Sequence, residues 1–259
     1  MLIDSHAHLE LKDFDRDRDE VVRRARQNGV EYIITVGIDV DDSGKALTVA
    51  DSYERVYAAV GVHPHSARDI DMRTYDTLRK MAKHAKVVAY GEIGLDFYRN
   101  LSPRDVQIRR FEEQMDLTHE LGLPVIVHDR EAHEEILAVL EKWKGRVHGI
   151  VHCFSGDFAM AKRCLDWGYY ISIPGTVTFR NSEVLRDVVR KTPADRLLVE
   201  TDCPFLTPEP RRGRRNEPAN VVHTAKKVAA VKGLPFEELA RITTHNAMEI
   251  FGLGERISA

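Results

Sequence analysis

Disulfide scaffolding, membrane-length apolar runs and an excess of basic charge are all missing from this chain. Its 259 residues include three cysteines, Cys153, Cys164 and Cys203. So few cysteines, and an odd number of them, argue against a disulfide framework and fit a reducing compartment. No apolar run is long enough to cross a bilayer. The opening MLIDSH lacks the charged n-region and long apolar stretch of a secretory signal, so the expected location is cytoplasmic. There is no Gly/Ser linker, no break in composition and no internal repeat, which predicts one domain over 1–259. The formal net charge of −3 gives no support for bulk electrostatic capture of nucleic acid. A local basic patch still acts inside an acidic protein, and PEPRRGRRNEP is one such patch.

What is present is a rhythm. Apolar residues make up 43% of the chain, enough for a sizeable core, and charged residues make up 31%. Short β-branched runs recur as LIDSHAH, YIITVGI, VYAAVGVHP, VVAYGEIGL, LPVIVHD, GIVHCF, YYISIPG and RLLVETD. Such runs suit strands buried on both faces of a parallel sheet. Helical segments separate them. DEVVRRARQNG sets Val21, Val22 and Ala25 on one side and stops at glycine, while SPRDVQIRRFEEQMDLTHELG opens on Ser-Pro and closes on Gly122. Two more helical segments, around Ala225 and Ala240, finish the chain. The pattern predicts an α/β fold, a (β/α)8 TIM barrel, with an open doubly wound sheet as runner-up.

In a barrel the active residues gather at the C-terminal strand ends. The first run ends in His6 and His8, the third in His63 and His65, the fourth in Glu92. The fifth ends in His128, the sixth in His152, the eighth in Glu200 and Asp202. Residues two apart on a strand share a face, so His6 pairs with His8 and Glu200 with Asp202. Imidazoles and carboxylates meeting in a buried mouth need a partner, and a divalent cation supplies one. Four histidines and two carboxylates exceed one tetrahedral site and suit two metals, with Glu92 able to bridge through its two oxygens. A single histidine near a strand end is ordinarily structural or solvated. Five strands ending in ligand-type residues are harder to assign to accident. His65, His119, His133, His148 and His223 fall outside the pattern, as do His84 and His245 on helical segments. Alternation turns Cys153 and Cys203 away from His152 and Asp202, which argues against a thiol nucleophile.

The motifs DSHAHL, VGVHPH, GEIGLDFYR, PVIVHDR, HCFSG, VETDCPFLTP and RGRRNEPANV resemble, in series, those of the TatD family. These are metal-dependent hydrolases of the amidohydrolase superfamily with a barrel fold. The resemblance runs from Ile3 to about Phe251. Many amidohydrolases bridge their metals with a carboxylated lysine; here Glu92 stands in that place, as in TatD proteins. The resemblance implies that His6, His8, Glu92 and Asp202 hold one metal and that Glu92, His128 and His152 hold the other. It implies that His63 contacts a substrate phosphate and that Glu200 supports the site. The implied activity is hydrolysis of DNA phosphodiesters, at single-stranded DNA or 3′ ends, by two divalent ions (Mg, Mn or Zn). Asp202 would orient or deprotonate the water.

The basic stretch follows the eighth strand and so shares the active face. Arg212, Arg215 and Asn216, with Arg130 and Arg99, are candidates to hold flanking phosphates, and Phe97 and Tyr98 to stack on a base. Two other readings use the same ligands or none of the chemistry. One is a hydrolase of small amides or esters, including a D-aminoacyl-tRNA deacylase. The other is a non-catalytic nucleic-acid-binding barrel with a structural metal.

Overall fold

The computed structural model describes residues 1–254, so the expected domain span of 1–259 runs past them at its C-terminal end. Eight strands form one parallel sheet in sequential order. They are β1 (Leu2–Ala7), β2 (Val30–Val36), β3 (Val56–Val60), β4 (Val87–Asp96), β5 (Val125–Arg130), β6 (Gly149–Val151), β7 (Tyr170–Ile173) and β8 (Leu197–Val199). Parallel neighbours need long crossovers, and helices supply them. These are α1 (Arg18–Gln27), α2 (Val40–Ser52), α3 (Met72–Met81), α4 (Arg104–Leu121), α5 (His133–Lys142), α6 (Phe158–Asp166), α7 (Glu183–Lys191) and α8 (Val221–Lys232), with α9 (Phe236–Ile250) last. The barrel is therefore as expected. Val21, Val22 and Ala25 are the buried face of α1, and Gly122 ends α4 with φ 65°. His84 lies just past α3 rather than on a helix.

Two apolar layers hold the structure. The larger lies between strands and helices and includes Leu9, Phe14, Phe111 and Leu140. The smaller fills the barrel's N-terminal end with Ile3, Ile34, Ile126 and Leu198, and is closed by Ile250, Phe251 and Leu253 at the end of α9. The Asn246 side chain fixes that plug by donating to the carbonyls of Ala194 and Leu197.

The seam between β8 and β1 is closed by few bonds, and they fall at the mouth. Asp202 N donates to His6 O at 3.0 Å, and His8 N donates to Cys203 O at 2.9 Å. Beneath them, buried Asp4 accepts from Thr201 N at 2.9 Å and from its hydroxyl at 2.6 Å. Burial raises the Asp4 pKa well above an ordinary carboxyl, against the pull of those Thr201 bonds. The seam therefore clips His6 and His8 directly against Asp202.

Candidate metal centre

β1 and β4 both lose regular register where they reach the mouth: β1 between Asp4 and Ala7, β4 between Tyr90 and Ile93. A bulge switches which side chains face inward. Ile3 faces the barrel interior while Ala7 and Leu9 pack in the outer layer, so the inward set changes to His6, His8 and Glu10. On β4 the inward set becomes Glu92 and Asp96. Glycine permits the close approach there: a Cβ on Gly94, at φ 144°, would lie 2.0 Å from His128 O.

Six side chains then converge around Glu92, which is 3% exposed. Its Oε2 lies 3.4 Å from His6 Nε2 and 3.8 Å from His8 Nε2. Asp202 Oδ1 completes that side, 3.4 Å from His8 Nε2 and 3.8 Å from His6 Nε2. On the other side Glu92 Oε1 lies 2.6 Å from His128 Nδ1 and 2.7 Å from His152 Nε2. The His6 and His152 rings stack at 4.0 Å between the two groups. Burial opposes ionisation of Glu92, but the imidazoles of His152, His63 and His128 outweigh it and hold the carboxyl well below its usual range. Burial likewise opposes charge on His8, His128 and His152, and their carboxylate neighbours reverse the sign and raise all three.

The atoms behind these rings decide which nitrogen faces inward. His8 Nδ1 meets the Val36 carbonyl at 2.8 Å and Glu10 Oε1 at 3.1 Å. A carbonyl only accepts, so Nδ1 carries the hydrogen and Nε2 presents a lone pair to the centre. That lone pair lies 3.2 Å from His6 Nε2, and buried His6 Nδ1 has no hydrogen-bond partner among the described residues. His128 presents Nδ1 inward, with Nε2 3.4 Å from Asp96 Oδ2. His152 presents Nε2, with Nδ1 3.6 Å from Glu200 Oε1. Thus Glu10, Asp96 and Glu200 stand behind His8, His128 and His152, as carboxylates stand behind metal-binding imidazoles. When the imidazoles give up their inward protons, their lone pairs and the carboxylate oxygens face one another at these separations, so the donor set fits divalent metal.

His63 has the opposite polarity. Its Nδ1 accepts from His65 N at 3.1 Å, so the neutral ring carries its hydrogen on Nε2, 3.6 Å from Glu92 Oε1. Burial, with His128 adding to it, holds the His63 pKa well below an ordinary imidazole. It is a neutral hydrogen donor aimed at the centre.

Glu200 and Asp202 lie beyond the end of β8, and Asp202 has φ 54°, so strand alternation does not govern them. They do different things. Glu200 is buried and accepts from Cys153 N at 2.7 Å and from the Ser172 hydroxyl, whereas the Asp202 side chain is 16% exposed. Cys153 does not face away as expected. β6 stops at Val151 and Cys153 takes φ 45°, which turns it toward the centre. Burial pushes its thiol well up, reinforced by Asp202, Glu200 and Glu92. Cys203 does pack in the outer layer.

The arginine-loop expectations divide. Asn216 is fully buried, donating to Thr201 O at 2.9 Å and Phe205 O at 2.6 Å and accepting from Asn220 at 2.9 Å. Its hydrogen-bonding groups are used inside the protein, which corrects its assignment to substrate. Arg215 is tied to Asp17 at 2.7 Å and lies over Phe14, so it braces the loop against α1 instead of facing the mouth. Phe97 is buried under Arg104, so it offers no stacking face. Arg130 lies over exposed Tyr98 at 4.1 Å and Arg212 over Phe179 at 4.0 Å. With exposed Arg99, these arginines have no carboxylate partner among the described residues.

Three contributors escaped the sequence reading. His65 Nε2 lies 2.9 Å from Asp96 Oδ2, so His65 belongs to the site. Asp96 follows Glu92 by four residues in GEIGLD, and Glu10 follows His8 by two in HAHLE; continuing the strand alternation past each ligand-type residue finds both.

The TatD related DNase family profile matches residues 3–252. YabD of Bacillus subtilis (strain 168), an uncharacterized metal-dependent hydrolase, is 43% identical over 252 residues, covering 97% of this chain and 99% of its own. The 3′-5′ ssDNA/RNA exonuclease TatD of Erwinia amylovora is 40% identical, covering 97% of this chain and 100% of its own. The crystal structure of YJJV, a TatD homologue from Escherichia coli K12, superposes with a TM-score of 0.92 at 31% identity, over 97% of this chain and 98% of that one. This chain belongs to the TatD family.

Proposed function

We propose that this protein is a metal-dependent phosphodiesterase that acts on single-stranded DNA from the 3′ end. The observation that carries the proposal is the division of Glu92: one oxygen faces His6 and His8, the other His128 and His152. That arrangement suits two cations sharing one carboxylate, the first held by His6, His8, Glu92 and Asp202, the second by Glu92, His128 and His152. When bound, such ions lower the pKa of water and offset charge on phosphoryl oxygens.

The protein's own groups do the rest. Asp202 turns Oδ1 to the histidine pair, leaving Oδ2 to orient the attacking water and take its proton. It is also the most accessible carboxylate of the centre, at 16% against 4% for Glu92. His63 stays neutral and donates from Nε2 to a non-bridging phosphoryl oxygen. A neutral imidazole stabilises developing charge there without giving up its proton. Glu200 holds His152, and the unpaired Arg99, Arg130 and Arg212 favour a substrate with several phosphates over a small amide or an aminoacyl ester.

The test is turnover of defined single-stranded oligonucleotides, against an aminoacyl ester, by wild type and Asp202→Asn across Mg, Mn and Zn. The expected outcome is wild-type release of 3′ nucleotides and a loss on the order of a thousandfold in the variant, with the fold retained. Full activity of Asp202→Asn, or ester hydrolysis without nucleotide release, sinks the proposal.

A further inference from the structure

Six large apolar side chains are exposed among the described residues: Met1, Met72, Tyr98, Leu101, Val184 and Phe205. Phe205 is the one in ring contact with the centre. Its ring lies edge-on to His8, with centroids 6.3 Å apart and planes at 65°. It is 54% exposed, yet its backbone is pinned. Phe205 N donates to Asp202 O at 2.9 Å, Phe205 O accepts from buried Asn216 at 2.6 Å, and Asn216 N donates to Pro204 O at 3.1 Å. Leu206 follows at φ 52°. The loop therefore holds a flat apolar face in water beside His8, three residues after Asp202.

Burial is the favoured state of a phenylalanine ring, and this anchored loop withholds it. What such a face offers is a surface for another flat, apolar group. Next to a centre that takes a phosphodiester, the group that arrives with the phosphate is a nucleobase, and base–aromatic stacking is tolerant of base identity. Arg212, on the same loop and without a carboxylate partner, adds the charge that a backbone phosphate needs. Tyr98 is a weaker platform, because Arg130 already covers one of its faces at 4.1 Å.

We propose that Phe205 is the stacking platform for the 3′-terminal base, so that this protein selects ends whose last base is intact. The choice of ligand rests on the phosphodiester reading.

Two measurements test it. In the first, the metal-free protein is titrated into a short single-stranded oligodeoxynucleotide with 2-aminopurine at its 3′ terminus. Wild type and Phe205→Trp should quench its fluorescence, and Phe205→Ala should not. In the second, the metal-loaded protein is given oligomers ending in a natural nucleotide or in a tetrahydrofuran abasic residue. Wild type should remove the natural end on the order of tenfold faster, and Phe205→Ala should bring that ratio toward unity. Equal quenching by wild type and Phe205→Ala, or a ratio that the substitution leaves unmoved, overturns the proposal. Quenching that depends on Phe205, without turnover of any oligomer, would instead sink the phosphodiester reading and leave the base site standing.

Discussion

At its N-terminal end the barrel encloses Ile3, Ile34, Ile126 and Leu198 under Phe251; at its C-terminal end the same sheet encloses His6, His8, Glu92 and His152. The lower end is apolar and buried. The upper end is buried too, but by groups that water would solvate better. Backbone strain is divided in the same way. Among the described residues, the five non-glycine residues with positive φ are Asn100, Glu131, Cys153, Asp202 and Leu206, and all lie beyond C-terminal strand ends. Each such conformation costs about 1–3 kcal/mol and persists where the surroundings enforce it. The apolar end therefore supplies stability, and the mouth uses some of it to hold like groups together.

This contrast can be broken from either end. The largest expected effect on folding is at the base. Phe251→Ala opens a cavity in the plug and should lower unfolding free energy by about 3–5 kcal/mol, read by urea denaturation, while metal content per folded chain stays at the wild-type value. A matching loss of metal would show that the two ends are not separable.

At the mouth, the carboxylates behind the histidines should act the other way. Asp96→Asn and Glu10→Gln keep shape but remove the charge behind His128 and His8. Each should weaken metal binding by about 10–100-fold, measured by competition with a chelating dye, with little change in urea midpoint. A large midpoint shift with unchanged metal affinity would make these groups structural.

The smallest effect is that of pH on the metal-free protein. His8, His128 and His152 are raised above 6.5 by their carboxylate neighbours. For a group raised on folding, stability is fully present below the unfolded value and is lost as pH rises through the folded one. Metal-free protein should therefore lose stability as pH climbs from about 6.5 upward. Metal affinity should rise over the same interval, because binding requires those protons to leave. Protein in excess metal should show no such decline. A metal-free curve that is flat above neutral pH would count against the raised values.

The barrel was legible in the sequence because burial on both faces forces near-continuous apolar runs, and helices with end signals separate them. The residues that gather at the mouth were legible because each follows such a run. The bulged segments of β1 and β4 were not legible, since a register shift depends on the neighbouring strand, as with Gly94 against His128. Nor was Asn216, which reads as a loop amide in RRGRRNEP and turns out to be the buried anchor beneath Phe205.

The sequence by itself determined the rhythm of eight βα units, the family and the residues that gather at the mouth, because periodicity and side-chain chemistry are local properties. Tertiary structure decided which nitrogen of each histidine faces inward, which carboxylate stands behind it, and which arginines remain free. Those outcomes depend on partners such as Val36, Asp96 and Asp17, which lie far from His8, His128 and Arg215 along the chain and meet them only when the barrel closes.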